Sequence, residues 1–233
     1  MTLIRKNTSL GTVILQEPSV IPVVNRFGIR LGVNNATVER ICVHYSLDCD
    51  FVLAILNTFV NEGYFPENLL KSCGRHEVAG YLAKADNDCR LTLIPNVRAH
   101  FARLMATVGD DSNMPMIHAM AQKALASLDA AIDRDLSDVL PAVMRDDASR
   151  ESCRIAASGL EAMRDCWGEI ADLRGMLVNL VNGTMDRNLL YAVIVAVGAL
   201  ENDLYNNNRL RSRILLPLLG GDADAAAGYT DMP

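Results

Sequence analysis

Residues Asn206 to Pro217 read NNNRLRSRILLP. At about 100° per residue, a helix through this stretch puts Leu210, Ile214, Leu215 and Leu218 on one face. Asn207 and Arg211 fall inside that apolar stripe. An unpaired neutral polar group on a buried face costs about 2–7 kcal/mol, and a charge costs more. A chain that keeps an asparagine and an arginine there is expected to hold partners for them inside its core. The same stretch closes the last of four long amphipathic segments, 75–108, 112–143, 148–181 and 186–218, the first bent at Pro95. Short polar separators divide them: Gly109 to Ser112, Arg145 to Asp147, and Asn182 to Thr184. Four such segments with short connections predict an all-α chain built on an antiparallel four-helix bundle.

Upstream, the elements are shorter. Helices are expected over 9–16 and 18–27, the second with Pro18 in its first turn and Val20, Ile21, Val24 and Phe27 as its apolar face. Gly28 and the turn LGVNN stop it. Asn35 is expected to cap a helix carrying Val38, Ile41, Cys42 and Tyr45. Asp48 or Asp50 opens another with Phe51, Ile55 and Phe59, which Gly63 to Pro66 closes. The expected organisation is a small helical module at 1–66, the four long helices at 75–218, and a small polar tail at 219–233 expected to be disordered. An internal echo links two of the long helices: DLSDVLPAV ends the second and RSRILLPLL the fourth, each a polar turn running into an apolar-proline stop.

Composition removes several function classes. The chain has 233 residues, 50% hydrophobic and 5% aromatic, with a formal charge of -6, which disfavours binding nucleic acid through a basic surface. No apolar run approaches the roughly 20 residues that span a bilayer. The start MTLIRKNTSLG lacks an apolar signal core and reads as mature sequence, so a cytoplasmic location is expected, with no membrane partner. Cys42, Cys49, Cys73, Cys89, Cys153 and Cys166 form no C-x-x-C pair and read as small buried hydrophobes. No phosphate-binding glycine loop and no Ser-His-Asp spacing is present, so nothing nominates a hydrolase or a nucleotide enzyme. His44 reads as a solvated or half-packed residue and His76 as a first-turn residue. His118 lies on a methionine-rich face with Met114, Met116 and Met120 that reads as core.

Three stretches carry a family resemblance. IPVVNRFGIRLGVNNATVERICVHYSLDCDFVLAILNTFVNEGYFP closely resembles the helical module that opens iron-sulfur cluster repair proteins. GYLAKADNDCRLTLIPNVRAHFARLM and LENDLYNNNRLRSRILLPLL resemble helices of the hemerythrin-like four-helix bundle that follows it in that family. The resemblance implies a bundle holding two irons on His and carboxylate ligands, with H-x-x-x-E placed ahead of an apolar-proline stop. Residues i and i+4 lie on one helix face and can share one metal centre.

This chain departs from that pattern. Counted back from Pro141, the implied pair falls on Ala131 and Asp135; counted back from Pro217, it falls on Asn207 and Arg211. The family's early His falls on Asp86, and His100 keeps the next. Leu31, Gly32 and Val33 stand where members carry a Cys-Cys pair. Ala131 has no ligand atom, and Arg211 keeps its positive charge and repels a cation. Only Asp86, His100 and Asp135 of these positions could ligate.

The resemblance therefore implies a degenerate member of the family without a resident cofactor. In a closed bundle Arg211 is expected to point at Asp86 and Asp135, its guanidinium replacing the metal's charge, with Asn207 and His100 completing the hydrogen bonds. The function so implied is non-catalytic: a binding or regulatory role in stress or iron-sulfur metabolism, through a protein partner or a homodimer. One alternative is an iron-binding protein of cluster repair or of oxygen and nitric-oxide response, using Asp86, His100 and Asp135. A second is a DNA-binding regulator reading through residues 35–62, against which stands the sparse charge of Arg26, Arg30 and Arg40.

Overall fold

A computed structural model describes residues 2–61, 63–145 and 150–220. The described residues are helical, and the one β contact among them is an isolated bridge between Ser9 and Thr37. The first helices are α1 (Leu10–Gln16), α2 (Ile21–Arg26), α3 (Val38–Tyr45) and α4 (Cys49–Val60). Thr37 caps α3 in place of the expected Asn35, its hydroxyl accepting from the Arg40 amide; Asn35 lies two residues too early in the turn. Asp48 caps α4 as expected, accepting from the Phe51 amide at 2.8 Å. A further short helix, α5 (Glu67–Cys73), lies between the expected 1–66 module and the long segments.

The long segments follow as α6 (Arg75–Asp88) continued by α7 (Ile94–Met105), α8 (Met114–Arg134) continued by α9 (Leu140–Met144), α10 (Arg150–Asn179), and α11 (Arg187–Leu210) continued by α12 (Leu216–Leu218). α8 packs on α10, α10 on α11, α11 on α7 and α7 on α8. No helix among the described residues is long and apolar enough to cross a membrane. The expected tail at 219–233 lies outside the described residues beyond Gly220.

Three of the long segments share one irregularity. Cys89–Leu93, Asp135–Val139 and Arg211–Leu215 are π-helical turns, and Pro95, Pro141 and Pro217 each follow two residues after the turn ends. A proline inside a helix cannot donate to the carbonyl four residues back, and its ring crowds that carbonyl. Widening the preceding turn to an i→i+5 pattern moves the carbonyl aside without breaking the helix. CRLTLIPNV in the first long segment is thus a third copy of the echo seen in DLSDVLPAV and RSRILLPLL.

The apolar interior falls into two clusters. One joins the first helices (Val24, Ile55, Leu56) to Leu82, Val143, Leu160 and Ile214 at the near ends of the long segments. The other fills the far ends around Phe101, Leu125, Ile170 and Val197. The 1–66 stretch therefore shares its core with the long helices. Along the chain, Asp86 separates Ala85 of the first cluster from Cys89 of the second, and Asp135 separates Ile132 of the second from Val139 of the first. A layer of buried polar side chains lies between two apolar ones.

Candidate functional site

That polar layer is built largely on the end of α11. Every residue from Asn206 to Ser212 is buried, so the helix is enclosed on all sides there. Each polar side chain in the run has its own partner. The Asn207 amide donates to Asp203 Oδ2 at 3.0 Å, and the Asn208 amide to the Met163 carbonyl at 3.0 Å. Arg209 points the other way, donating to the carbonyls of Thr58 and Tyr64 and stacking on Phe65. Thr58 lies in the last turn of α4, where unsatisfied carbonyls and the helix dipole favour a cation.

At the centre, Arg211 Nη2 donates to Asp86 Oδ1 at 2.6 Å and to Asp135 Oδ2 at 2.8 Å. All three side chains are buried, at 5% exposure or less. The expected meeting of Arg211 with Asp86 and Asp135 is present. Burial lifts the Asp86 carboxyl to about 8, against the pull of Arg211 and with the push of Asp135. Burial alone would lower the Arg211 guanidinium, but the two carboxyls hold it above its ordinary value. Asp86 Oδ2, Asp135 Oδ1, Asn207 Oδ1 and Arg211 Nε have no hydrogen-bond partner among the described residues.

Two expected contacts are corrected. Asn207 turns its amide to Asp203 rather than to the Arg211 group. His100 stays half-buried on α7 and forms none of the hydrogen bonds around Arg211. The physical reason is distance along the helix: His100 stands fourteen positions after Asp86, about 20 Å at about 1.5 Å per residue, beyond the reach of Arg211. The π turn at Cys89–Leu93 adds a rotation of roughly 100° on top of that separation. Ala131 is buried and offers no polar side-chain atom.

A second buried arginine, outside the expected site positions, adjoins this group. Arg26, at the end of α2, donates to both carboxylate oxygens of Asp203, at 2.8 and 2.9 Å. It also donates to Asp88 Oδ2, at 2.9 Å from Nη2, and reaches the Tyr81 hydroxyl at 3.5 Å. Its side chain is 1% exposed, so it cannot meet a DNA phosphate, which removes one of the three cations considered for a DNA-reading role. Burial raises the Asp203 carboxyl, opposed by Arg26, and pushes Tyr81 up to about 12. Burial also places the Cys89 thiol well above its usual range, with Asp203 and Asp86 adding to it. In this layer two guanidiniums, Arg26 and Arg211, face four carboxyls, Asp86, Asp88, Asp135 and Asp203.

Part of this was readable. Asp203, Asn207 and Arg211 follow one another at i+4, a continuous stripe that spacing alone extends back to Asp203. Arg26 carried no such signal, because it ends a short helix and its partner lies 177 residues away. The other histidines are peripheral. His44 packs edge-on against Tyr45, His76 lies 2.9 Å from the Met144 carbonyl, and His118 stacks on Phe101. Of the methionine-rich face, Met114 is core, but Met116 and Met120 are exposed, which corrects the reading of all three as interior. They sit two and six residues beyond Met114, off its buried stripe.

The residues do not suit a two-iron centre. The position between the carboxyls is filled by a guanidinium, Ala131 has no donor, and the Asn207 amide faces Asp203. Among the described residues no group of three or more His, Cys, Asp or Glu side chains is arranged to hold a metal ion. Compared with protein families, with curated proteins and with solved structures, the chain matches none.

Proposed function

We propose that this protein is a hemerythrin-like four-helix bundle related to the iron-sulfur cluster repair proteins, in which an internal arginine has replaced the di-iron centre. In this reading the four long segments run antiparallel around the polar layer. The protein acts by binding, as a non-catalytic or regulatory component in stress or iron-sulfur metabolism, with a protein partner or a second copy of itself. The observation that carries the reading is Arg211 Nη2 bonded to Asp86 and Asp135 together, on three different long segments. A single guanidinium meets two carboxyls that a cation would otherwise have to hold. A fixed internal cation keeps the layer closed without a cofactor and removes the open coordination positions that oxygen or nitric-oxide chemistry requires.

The test is metal content by mass spectrometry on untagged protein, purified without chelator from iron-replete cells. Iron well below one atom per chain in a folded helical protein supports the proposal. Iron near two atoms per chain overturns it and returns the protein to the catalytic or gas-sensing class.

A further inference from the structure

A groove of about 380 Å³ lies where the end of α8, the turn Asp135–Val139 and the end of α9 meet α10. Three guanidinium side chains line it, Arg134, Arg145 and Arg154, together with the hydroxyls of Ser137 and Ser158. Arg154 is held by Glu151 in a two-pronged pair at 2.7 and 3.0 Å. The guanidiniums of Arg134 and Arg145 are exposed and make no ion pair with any described residue. Other clefts differ. The one beside Tyr81 has Arg26 committed to Asp88 and Asp203, and the one beside Met120 sets Lys123 against Glu169 and Asp172.

With Arg154 paired to Glu151 and Asp138 on the wall, Arg134 and Arg145 leave the lining with a positive charge that an anion would complete. Guanidinium forks match oxyanions in plane, and hydroxyls add single donors. A carboxylate presents its two oxygens in one plane, which suits donors from a single wall. A phosphate has three or four, arranged so that donors from several walls reach it. The floor of the groove is Val139 and Gly159, and Asp135 Oδ1, buried and without a hydrogen-bond partner, lies 3.3 Å from where a Cβ on Gly159 would stand. Asp138 on the wall is an acceptor for a ligand O–H or N–H.

We propose that this groove binds a small phosphorylated molecule, its phosphate held by Arg134 and Arg145 with the serine hydroxyls. The proposal stands on the groove alone and is independent of the reading of the core. Inorganic phosphate is the probe, titrated against the full chain by calorimetry at constant ionic strength, with chloride as the comparison salt. Saturable binding of phosphate is expected, weakened about tenfold or more in the double variant Arg134→Ala/Arg145→Ala, as loss of charge-assisted hydrogen bonds requires. Arg103→Ala, an exposed arginine on α7, serves as the control and is expected to bind as the unmodified chain does. Circular dichroism establishes that each variant is folded. Absence of saturable binding, or equal affinity in the double variant and the control, overturns the proposal.

Discussion

Asp135 and Arg211 each open a π-helical turn six residues before a proline, and their side chains meet at 2.8 Å across the core. The echo between DLSDVLPAV and RSRILLPLL is therefore shared geometry as well as sequence likeness: the same backbone device presents an acid from one helix and a base from another. A guanidinium in this setting has no water to fall back on. Arg211→Met is expected to destabilise the protein by roughly 3–5 kcal/mol, because it leaves buried carboxyls without their counter-charge. Adding Asp86→Asn and Asp135→Asn to it should recover most of that loss. Urea denaturation of the single and triple variants checks this, and an unchanged midpoint in the single variant would remove the ion pair as an organising contact.

Asp86 ties stability to pH. Its folded pKa of about 8 stands above the unfolded value near 4, so the folded state holds the proton more tightly. The contribution is complete below about pH 4 and is lost as pH rises through about 8. Asp203 is shifted the same way by burial and adds to the slope. Asp86→Asn, which cannot ionise, should flatten the fall in melting temperature between about pH 4 and about pH 8, leaving the Asp203 part. Parallel profiles for the two proteins would contradict this.

Arg26 joins the first helices to the last long one. Arg26→Met should cost roughly 3–5 kcal/mol, since it strands the Asp203 carboxylate in the interior. Amide exchange should quicken across α2 and α4 more than across α8 and α10. Uniform quickening over the whole chain would show that Arg26 supports the fold in general and does not act as a clasp for its first part.

Helical glycines in α10 separate close packing from free surface. A Cβ on Gly159 would stand 2.7 Å from a Val139 methyl and 3.3 Å from Asp135 Oδ1, whereas one on Gly168 meets nothing within 4 Å. Gly159→Ala is expected to destabilise by about 1–3 kcal/mol, and Gly168→Ala to stabilise by about 0.5–1 kcal/mol through helix propensity alone. Thermal melts of the two variants should move in opposite directions.

The helical class and the long segments were legible because their signals are periodic and local. So was the pairing of Arg211 with acids, since Asn207 and Arg211 stand on an otherwise apolar stripe. His100 was misplaced because helical period reports which face a residue lies on and not how far along the axis it stands, and fourteen positions carry it about 20 Å from Asp86. Helix α5 buries only Leu70, so it carries no apolar stripe for periodicity to reveal. Arg26 was invisible for a different reason: a charge at the end of a short helix reads as solvated until the tertiary fold brings Asp203 to it.

The separation between Arg26 and Asp203 has a consequence for how the chain is made. They are 177 positions apart, and a ribosome adding about 5–20 residues per second needs roughly ten to thirty-five seconds to cover that distance. For that interval the opening helices have emerged while the stretch from Asp203 to Ser212, against which their arginine and the end of α4 settle, is still unsynthesised. Completion of this protein is a late event, gated by its last helix, and nascent chains cut short of it are the form in which chaperones and proteases would meet the N-terminal segment.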